Sequence, residues 1–327
     1  DTITSTNTIY VSEANNPFSY RSQFAVSVGC DLVYALSSAA KPLSEGQFGQ
    51  YPLYAFTDEG VWALELTGTG TYFARQPITR DVCKNRDGIT QLDSAVLFST
   101  DRGLMLISGS ESICISEILD SKSVFSMSQL QGGNQLLKLA GMGNENVSYV
   151  PFKEFLTKGR MLYDYTNQRI IVFSPEHSYA YIYSLESKKW GMMQSNLASG
   201  VNAYPEAMAM TKDNMLVDFS HPDESVSVKG LLVSRPLKLD DGDILKTIDT
   251  IIQRGQFRKG HVSSVLYGSR DLYNWSLVWS SKDHYLRGFR GTPYKYFRVT
   301  LVCNLEKDES ITGCTVQFTP SLTNQPR

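Results

Sequence analysis

The sequence predicts an all-β protein, a β-propeller-like array of four-stranded blades, four or five of them visible, followed by a C-terminal β-sandwich. Three observations carry this. LYAFTDEGVWALEL (Leu53 to Leu66) returns as VLFSTDRGLMLI, which sets Thr100 under Thr57, Asp101 under Asp58 and Gly103 under Gly60, 43 residues later. Composition suits strands, with 42% apolar residues, 11% aromatic residues and 18 Tyr, far from the disordered class. Charge divides the chain: 13 Lys or Arg stand against 6 Asp or Glu between Lys229 and Arg298, a local +7 that leaves −9 for the remainder.

Ahead of the first clear hairpin, TIYVSE and DLVYALSS read as strands and supply material for a fifth unit. A third copy, LYDYTNQRIIVF, places Thr166 and Asn167 at the turn, and a fourth, AMAMTKDNMLVDF, places Thr211 45 residues after Thr166. Each copy is a strand, a tight turn with Asp, Asn or Gly, and a second strand. Spacings of 43 and 45 residues match a propeller blade. One hairpin cannot cover both of its faces, so each must stack on neighbours. Asp58, Gly60, Asp101, Gly103 and Asn167 are therefore read as structural turn residues, the Asp carboxylates bonding backbone N–H groups.

The second and third copies are 66 residues apart, which predicts an insertion near 121–160. Within it SQLQGGNQLLKLAGM is polar and Gly-rich, while PFKEFLTKG reads as a short helix started by Pro151 and stopped by Gly159. YAYIYSLESKKW then alternates and ends on Trp190 in a kelch-like manner, an indole expected between adjacent sheets. A turn-rich stretch, His221 to Ser225, coincides with the charge switch and sets a boundary, giving a propeller-like domain over 1–225 and a sandwich over 226–327. The sandwich strands are VKGLLVSRPLKL, LKTIDTIIQRGQF, VSSVLYGS, WSLVWSS, KYFRVTLVCNL and ITGCTVQF. The last two are expected to form a hairpin around Lys307 to Ser310, with Cys303 opposite Cys314 on a face carrying Phe297, Val299, Leu301, Val316 and Phe318. Buried thiols are the reading there, with a cross-strand disulfide as the alternative.

A formal net charge of −2 argues against a wholesale nucleic-acid binder. Five cysteines in no CxxC spacing and four histidines with no second ligand at metal spacing imply neither a zinc site nor a disulfide framework. No cofactor or metal is expected. There is no run of 18 apolar residues and no leader-like opening, so neither a membrane span nor membrane targeting is expected. The chain opens on Asp1 rather than Met, as a processed chain or a piece of something longer would.

Three constellations invite a chemical reading. Ser99 to Gly103 fits the start of an S-x-D-x-G Asp box of the sialidase-propeller kind, but the aromatic after the Gly is missing and Phe56 replaces the Ser in the sister copy. YGSRDLYNW resembles strand-to-turn segments of discoidin-like sugar-binding sandwiches, which makes Tyr273 and Trp275 candidate glycan contacts. The plainer reading is an Asp271 and Asn274 turn, with Trp275 and Trp279 sharing one face of the next strand. Arg254, Arg258, Lys259, Arg270, Arg287 and Arg290, with Lys282 and interleaved aromatics, could track a phosphate backbone. A protein interface is favoured because the whole chain is acidic.

LSEGQFGQYPLYAFTDEGVWALE (Leu43 to Glu65), RQPITRDVC, SAVLFSTDRGLMLISG, SRPLKL, LYGSRDLYNW and PYKYFRVTL together resemble propeller-type structural proteins of tailed bacteriophages and their prophages. The similarity is to tail-nozzle, muzzle and packaged-DNA-stabilisation proteins of short-tailed phages, including those resident in gut Bacteroides, and it runs from Leu43 to Leu301. It implies a non-enzymatic virion component, assembled in the host cytoplasm as a ring at the tail, that retains packaged DNA and releases it on infection. Its implied partners are other virion proteins, further copies of itself and, transiently, duplex DNA. No catalytic residues are carried over. The alternative is a carbohydrate-binding or glycan-degrading propeller protein of a gut bacterium.

Overall fold

The computed structural model describes residues 6–13, 15–41, 43, 51–67, 71–120, 126–141, 149–203, 206–221, 226–288 and 291–321, with backbone alone at 74–76 and 202–203. The chain is all-β and divides into two compact units. The first comprises Asp1–Val124 and Val150–Pro222, the second Phe125–Tyr149 and Asp223–Arg327.

The first unit begins with a two-stranded sheet, β1 (Thr8–Tyr10) and β2 (Ala25–Ser27). A four-stranded meander follows, β3 (Val33–Ser38), β4 (Leu53–Thr57), β5 (Gly60–Leu66) and β6 (Tyr72–Thr79), and then a second, β7 (Ile89–Gln91), β8 (Val96–Thr100), β9 (Gly103–Ser108) and β10 (Glu111–Cys114). The chain next enters the second unit as α1 (Gly133–Leu139) and returns through α2 (Phe152–Leu156). A third meander consists of β11 (Arg160–Asp164), β12 (Arg169–Phe173), β13 (Tyr179–Ser184) and β14 (Trp190–Gln194). The fourth sheet has three strands, β15 (Leu197–Ala203), β16 (Glu206–Thr211) and β17 (Leu216–Asp218).

These sheets form a propeller-like array because their first strands touch in succession, β3 with β7, β7 with β11 and β11 with β15. Side-chain alternation explains the stacking. Tyr54 and Phe56 of β4 pack with Val96 and Phe98 of β8 on the second sheet, and the Phe56 and Phe98 rings meet edge to face at 5.2 Å. Ala55, between them, faces the opposite way and packs with Ile9 and Val26 of the two-stranded sheet. Between the third and fourth sheets lie Leu162, Ile171 and Phe173 against Leu197 and Ala209. Each such buried Val, Leu, Ile or Phe side chain contributes about 1.5–3 kcal/mol. Trp190 on the outermost strand of the third sheet donates Nε1–H to Ile115 O, 3.1 Å away beyond the last strand of the second, and its ring meets Phe152 of α2 at 5.3 Å.

All four repeated hairpins form, but the third is shifted by one strand. The turns at Thr57, Thr100 and Thr211 join second to third strands, whereas the Thr166 turn joins first to second. In an antiparallel meander those connections lie at opposite ends of the sheet. Asn167 therefore sits on the other rim from Asp58 and Asp101.

The second unit is a sandwich of two sheets built from β18 (Val228–Val233), β19 (Lys246–Gln256), β20 (Val262–Ser269), β21 (Ser276–Ser281), β22 (Tyr285–Arg287), β23 (Tyr296–Leu305) and β24 (Ser310–Pro320). One sheet has the order β18-β23-β20-β21 and the other β22-β19-β24. Their inner faces bury Ile248, Ile251, Leu266, Phe297 and Leu301. The expected final hairpin is corrected: β23 and β24 are consecutive but belong to different sheets, Cys303 pairing in register with Gly230 and Val262 and Cys314 with Gln253. Phe297, Val299, Leu301, Val316 and Phe318 do share one core, because they face each other across the sandwich. All five cysteines are free thiols.

The expected insertion in the propeller-like domain is also revised. Phe125–Tyr149 belongs to the second unit, where Met127 and Leu130 pack with Val265, Tyr267 and Trp275. Val265 and Tyr267 alternate with the inward Leu266 along β20, so this segment pads the outer face of the four-stranded sheet. Tyr267 Oη donates to Gln131 O at 2.9 Å.

Candidate functional site

The turns of the first two copies are latched by threonine, and this corrects the expectation that Asp58 and Asp101 hold them, whereas in the third copy Asp164 Oδ1 accepts from Asn167 N at 3.3 Å. Thr57 Oγ1 accepts from Glu59 N (3.2 Å) and donates to Gly60 O (2.8 Å), and Thr100 does the same with Arg102 N (3.2 Å) and Gly103 O (3.0 Å). Asp58 Oδ1 instead accepts from Leu32 N at 3.1 Å, ahead of β3. Asp101 is exposed, its carboxylate 3.7 Å from Lys84 Nζ. Gly60 and Gly103 adopt φ of 133° and 135°, a region open essentially to Gly alone. Asn167 Nδ2 donates to buried Asp164 Oδ2 at 2.8 Å, which Arg169 Nε also reaches at 2.8 Å, while Arg169 Nη2 caps Phe219 O at 2.7 Å. This cluster ties the third sheet to the chain end of the fourth.

Where β7, β11 and β15 converge, the first unit holds a polar cleft of about 350 Å³ lined in part by Arg86, Asp87, Thr90, Arg160 and Ser199. Arg160 is engaged on both sides, pairing with Asp87 Oδ2 at 2.9 Å and donating to Ala198 O at 2.8 Å. Its guanidinium thus braces three neighbouring first strands. Arg86 is exposed and makes no ion pair with another described residue. Sequence reasoning did not single out any of these residues. The signal that could have found them is position, a charged pair just ahead of the first strand of a blade.

The basic residues of the sandwich do not form one stripe. Arg254 and Arg287 share the outer face of the three-stranded sheet, where Arg254 Nε donates to Thr315 Oγ1 at 2.8 Å and Arg287 lies 5.4 Å over the Tyr285 ring. Arg258, paired with Glu306, and exposed Lys259 precede β20, while Arg270 follows it. They therefore occupy opposite ends of the sandwich. Arg290 lies outside the described residues. Beside Arg258, the buried Glu309 carboxylate accepts from His261 Nδ1 at 2.7 Å and from Arg258 N at 2.7 Å. The His261 bond, with the Arg258 N–H, holds its proton affinity below the ordinary carboxylate range.

The Tyr273 loop is a true Asp turn. Asp271 Oδ1 accepts from Tyr273 N (2.9 Å), Asn274 N (2.8 Å) and Ser269 Oγ (3.1 Å), and its Oδ2 accepts from Asn274 Nδ2 (2.7 Å). These bonds, led by the Asn274 N–H, lower its pKa to about 2. Trp275 is only 6% exposed, donates Nε1–H to Leu272 O at 3.1 Å and lies under the Arg298 guanidinium at 4.8 Å. Trp275 is core and offers no face to a sugar ring. Trp279 packs into the inner core instead. A bulge opposite Leu266 and Tyr267 breaks the alternation that would have put both indoles on one face. Tyr273 is 86% exposed.

No group of His, Cys, Asp and Glu among the described residues is placed to hold a metal, and no described helix is long and apolar enough to cross a membrane. No protein family model and no curated protein matches the chain. Among solved structures it is similar to the AfRom2 CNH domain (10% identity, TM-score 0.25, covering 63% of this chain and 59% of that one). It is also similar to the extracellular domain of the one component system BT4673 from B. thetaiotaomicron (9%, 0.27, 84% and 43%) and to a glycoside hydrolase (7%, 0.24, 88% and 84%). The chain spans 59% and 43% of the length of the first two. All three similarities are remote, and none extends a neighbour's activity to this chain.

Proposed function

We propose that this chain is a non-enzymatic structural protein of a phage virion, a tail or neck component that retains or conducts packaged DNA. The observation that supports a scaffold best is how the conspicuous polar residues are used. Thr57, Thr100, Asp164, Arg160, Asp271 and Glu309 all bond backbone or ion partners that fix turns and strands. The Asp271 and Glu309 carboxylates held that way are poor general bases, since their lone pairs are occupied and their proton affinity is lowered by those bonds. The resemblance of the segments between Leu43 and Leu301 to phage tail proteins supplies the biological setting.

On this reading the acidic remainder of the chain lets a duplex slide, because each phosphate contact adds salt-dependent grip. The basic stretch from Lys229 to Arg298 serves a protein neighbour. Particles purified after prophage induction should contain the chain by mass spectrometry, and its consistent absence from them would overturn the virion assignment. In a gel shift at physiological salt the chain should not retard duplex DNA. Tight, sequence-independent retardation would overturn the conduit.

The carbohydrate reading keeps one specific observation, exposed Tyr273 on a loop fixed by Asp271. It requires glycan binding in isothermal titration that Tyr273→Ala abolishes.

A further inference from the structure

The scaffold reading uses Arg160 in the polar cleft of the first unit but leaves Arg86, beside it, without a task. The cleft lining carries two guanidinium groups, Arg86 and Arg160, against one carboxylate, Asp87. Asp87 is matched by Arg160 at 2.9 Å. The unbalanced charge is therefore that of Arg86, which is exposed and makes no ion pair with another described residue. The cleft presents one net positive charge in a volume of about 350 Å³, within the range of small-molecule sites.

The groups around Arg86 are held in place before any ligand arrives. Arg86 and Asp87 belong to one short 3-10 turn, Arg86–Gly88. Asn85 fixes that turn, its Oδ1 accepting from Asp87 N at 3.1 Å and its Nδ2 donating to Gly159 O at 2.7 Å. Gly88 lets the turn seat on β8, since a Cβ there would lie 2.2 Å from Ser99 Oγ. On β15 the ladder slips by a residue, Leu197 pairing with Thr211 but Ser199 with Met210. The left-over Ala198 offers its carbonyl to Arg160 Nη1 at 2.8 Å. This bulge brings Ser199 into the cleft lining, the re-aiming of a side chain that bulges beside binding sites perform.

Three features define the ligand. A guanidinium fork pairs bidentately with a planar carboxylate. One unbalanced positive charge suits a monoanion, whereas a phosphate ester, nearly a dianion at neutral pH, would leave surplus negative charge beside Asp87. The Ser199 hydroxyl, and the Asp87 lone pairs that Arg160 does not take, are hydrogen-bond partners for hydroxyl groups, while Met161 and Phe173 in the lining offer apolar surface to C–H groups. We propose that this cleft binds a sugar acid, a monosaccharide-sized carboxylate bearing several hydroxyls, with Arg86 on the carboxylate and Ser199 and Asp87 on the hydroxyls. Such binding needs no catalysis and leaves the Arg160 brace intact. It does not depend on the virion reading, and it is separate from the glycan reading at Tyr273, which belongs to the other unit.

The test is ligand-observed NMR on the full chain with glucuronate, galacturonate and gluconate at up to about 10 mM, enough to register a Kd near ~1 mM. At least one of the three should bind, with glucose and glucose 6-phosphate weaker by about tenfold or more. Arg86→Gln should weaken that binding by about tenfold or more, and Ser199→Ala by roughly three- to tenfold. Circular dichroism should show both variants folded. Arg270→Gln, which removes an exposed arginine of the sandwich, should change nothing. Silence from all three acids would overturn the proposal. So would equal binding of glucose 6-phosphate, full affinity in either cleft variant, or an equal loss in Arg270→Gln, which would reduce the effect to general surface charge.

Discussion

The hairpin turn at Thr100 and the sandwich turn at Asp271 both follow a serine and both contain an aspartate, yet the aspartates do different work. At Thr100 the hydroxyl of the preceding threonine takes the backbone N–H, and Asp101 faces solvent. At Asp271 the carboxylate gathers two backbone N–H groups itself. The difference lies in what each turn must close. A two-residue hairpin brings the threonine opposite its glycine in the ladder, where a one-carbon hydroxyl reaches both groups. The Asp271 loop is wider and ends on a core tryptophan, and the longer carboxylate arm reaches both backbone N–H groups with Oδ1 while Oδ2 accepts from the Asn274 amide. An S-x-D spelling therefore does not identify the latch.

Removing the anchor of the wider turn should have the largest effect. Trp275→Ala empties the padded core between Leu130 and Tyr267, and should destabilise the second unit by about 3–5 kcal/mol in urea denaturation followed by circular dichroism. A loss below about 1 kcal/mol would mean that the Asp271 loop does not depend on the indole. Next comes Gly60→Ala, whose Cβ would sit 2.1 Å from Thr79 O at a φ of 133°. A cost of roughly 3 kcal/mol is expected in the first unit, read as a lower urea midpoint.

The comparison itself is tested by Thr100→Val against Asp101→Ala. The first removes the partner of a part-buried N–H and of a buried carbonyl and should cost about 1–2 kcal/mol; the second should stay within about 0.5 kcal/mol. The reverse order would restore aspartate as the hairpin latch. The smallest effect concerns pH. Asp271 has a folded pKa of about 2, below its ordinary 3.8, so its stabilising contribution is complete above the ordinary value and is lost as pH falls towards 2. Glu309, also lowered, acts in the same direction. Asp271→Asn keeps an acceptor oxygen and should flatten this acid limb in a pH series of denaturation midpoints.

Much of the array was legible in the sequence because Thr-x-x-Gly and strand alternation are local. The one-strand shift of the third copy was not, since a first-to-second turn and a second-to-third turn read alike. The last two strands were misassigned for a related reason. Alternating Phe297, Val299, Leu301 and Val316, Phe318 fit neighbours in one ladder as well as partners across a sandwich. Gly132 and Gly133 hid an apolar face, because Met127, Leu130, Leu136 and Leu137 straddle the glycines that start α1. The axial Arg160 brace depends on strands far apart in sequence, which no local pattern encodes.

The padding segment also has a consequence for how the chain is made. Gln131 meets Tyr267 across 136 residues, and at about 5–20 residues per second of synthesis the wait is roughly 7–27 seconds. Throughout that interval the nascent Met127 to Leu137 strip lacks its cover and is a natural client for holdase chaperones. A ribosome that stalls before Trp275 would release it bare.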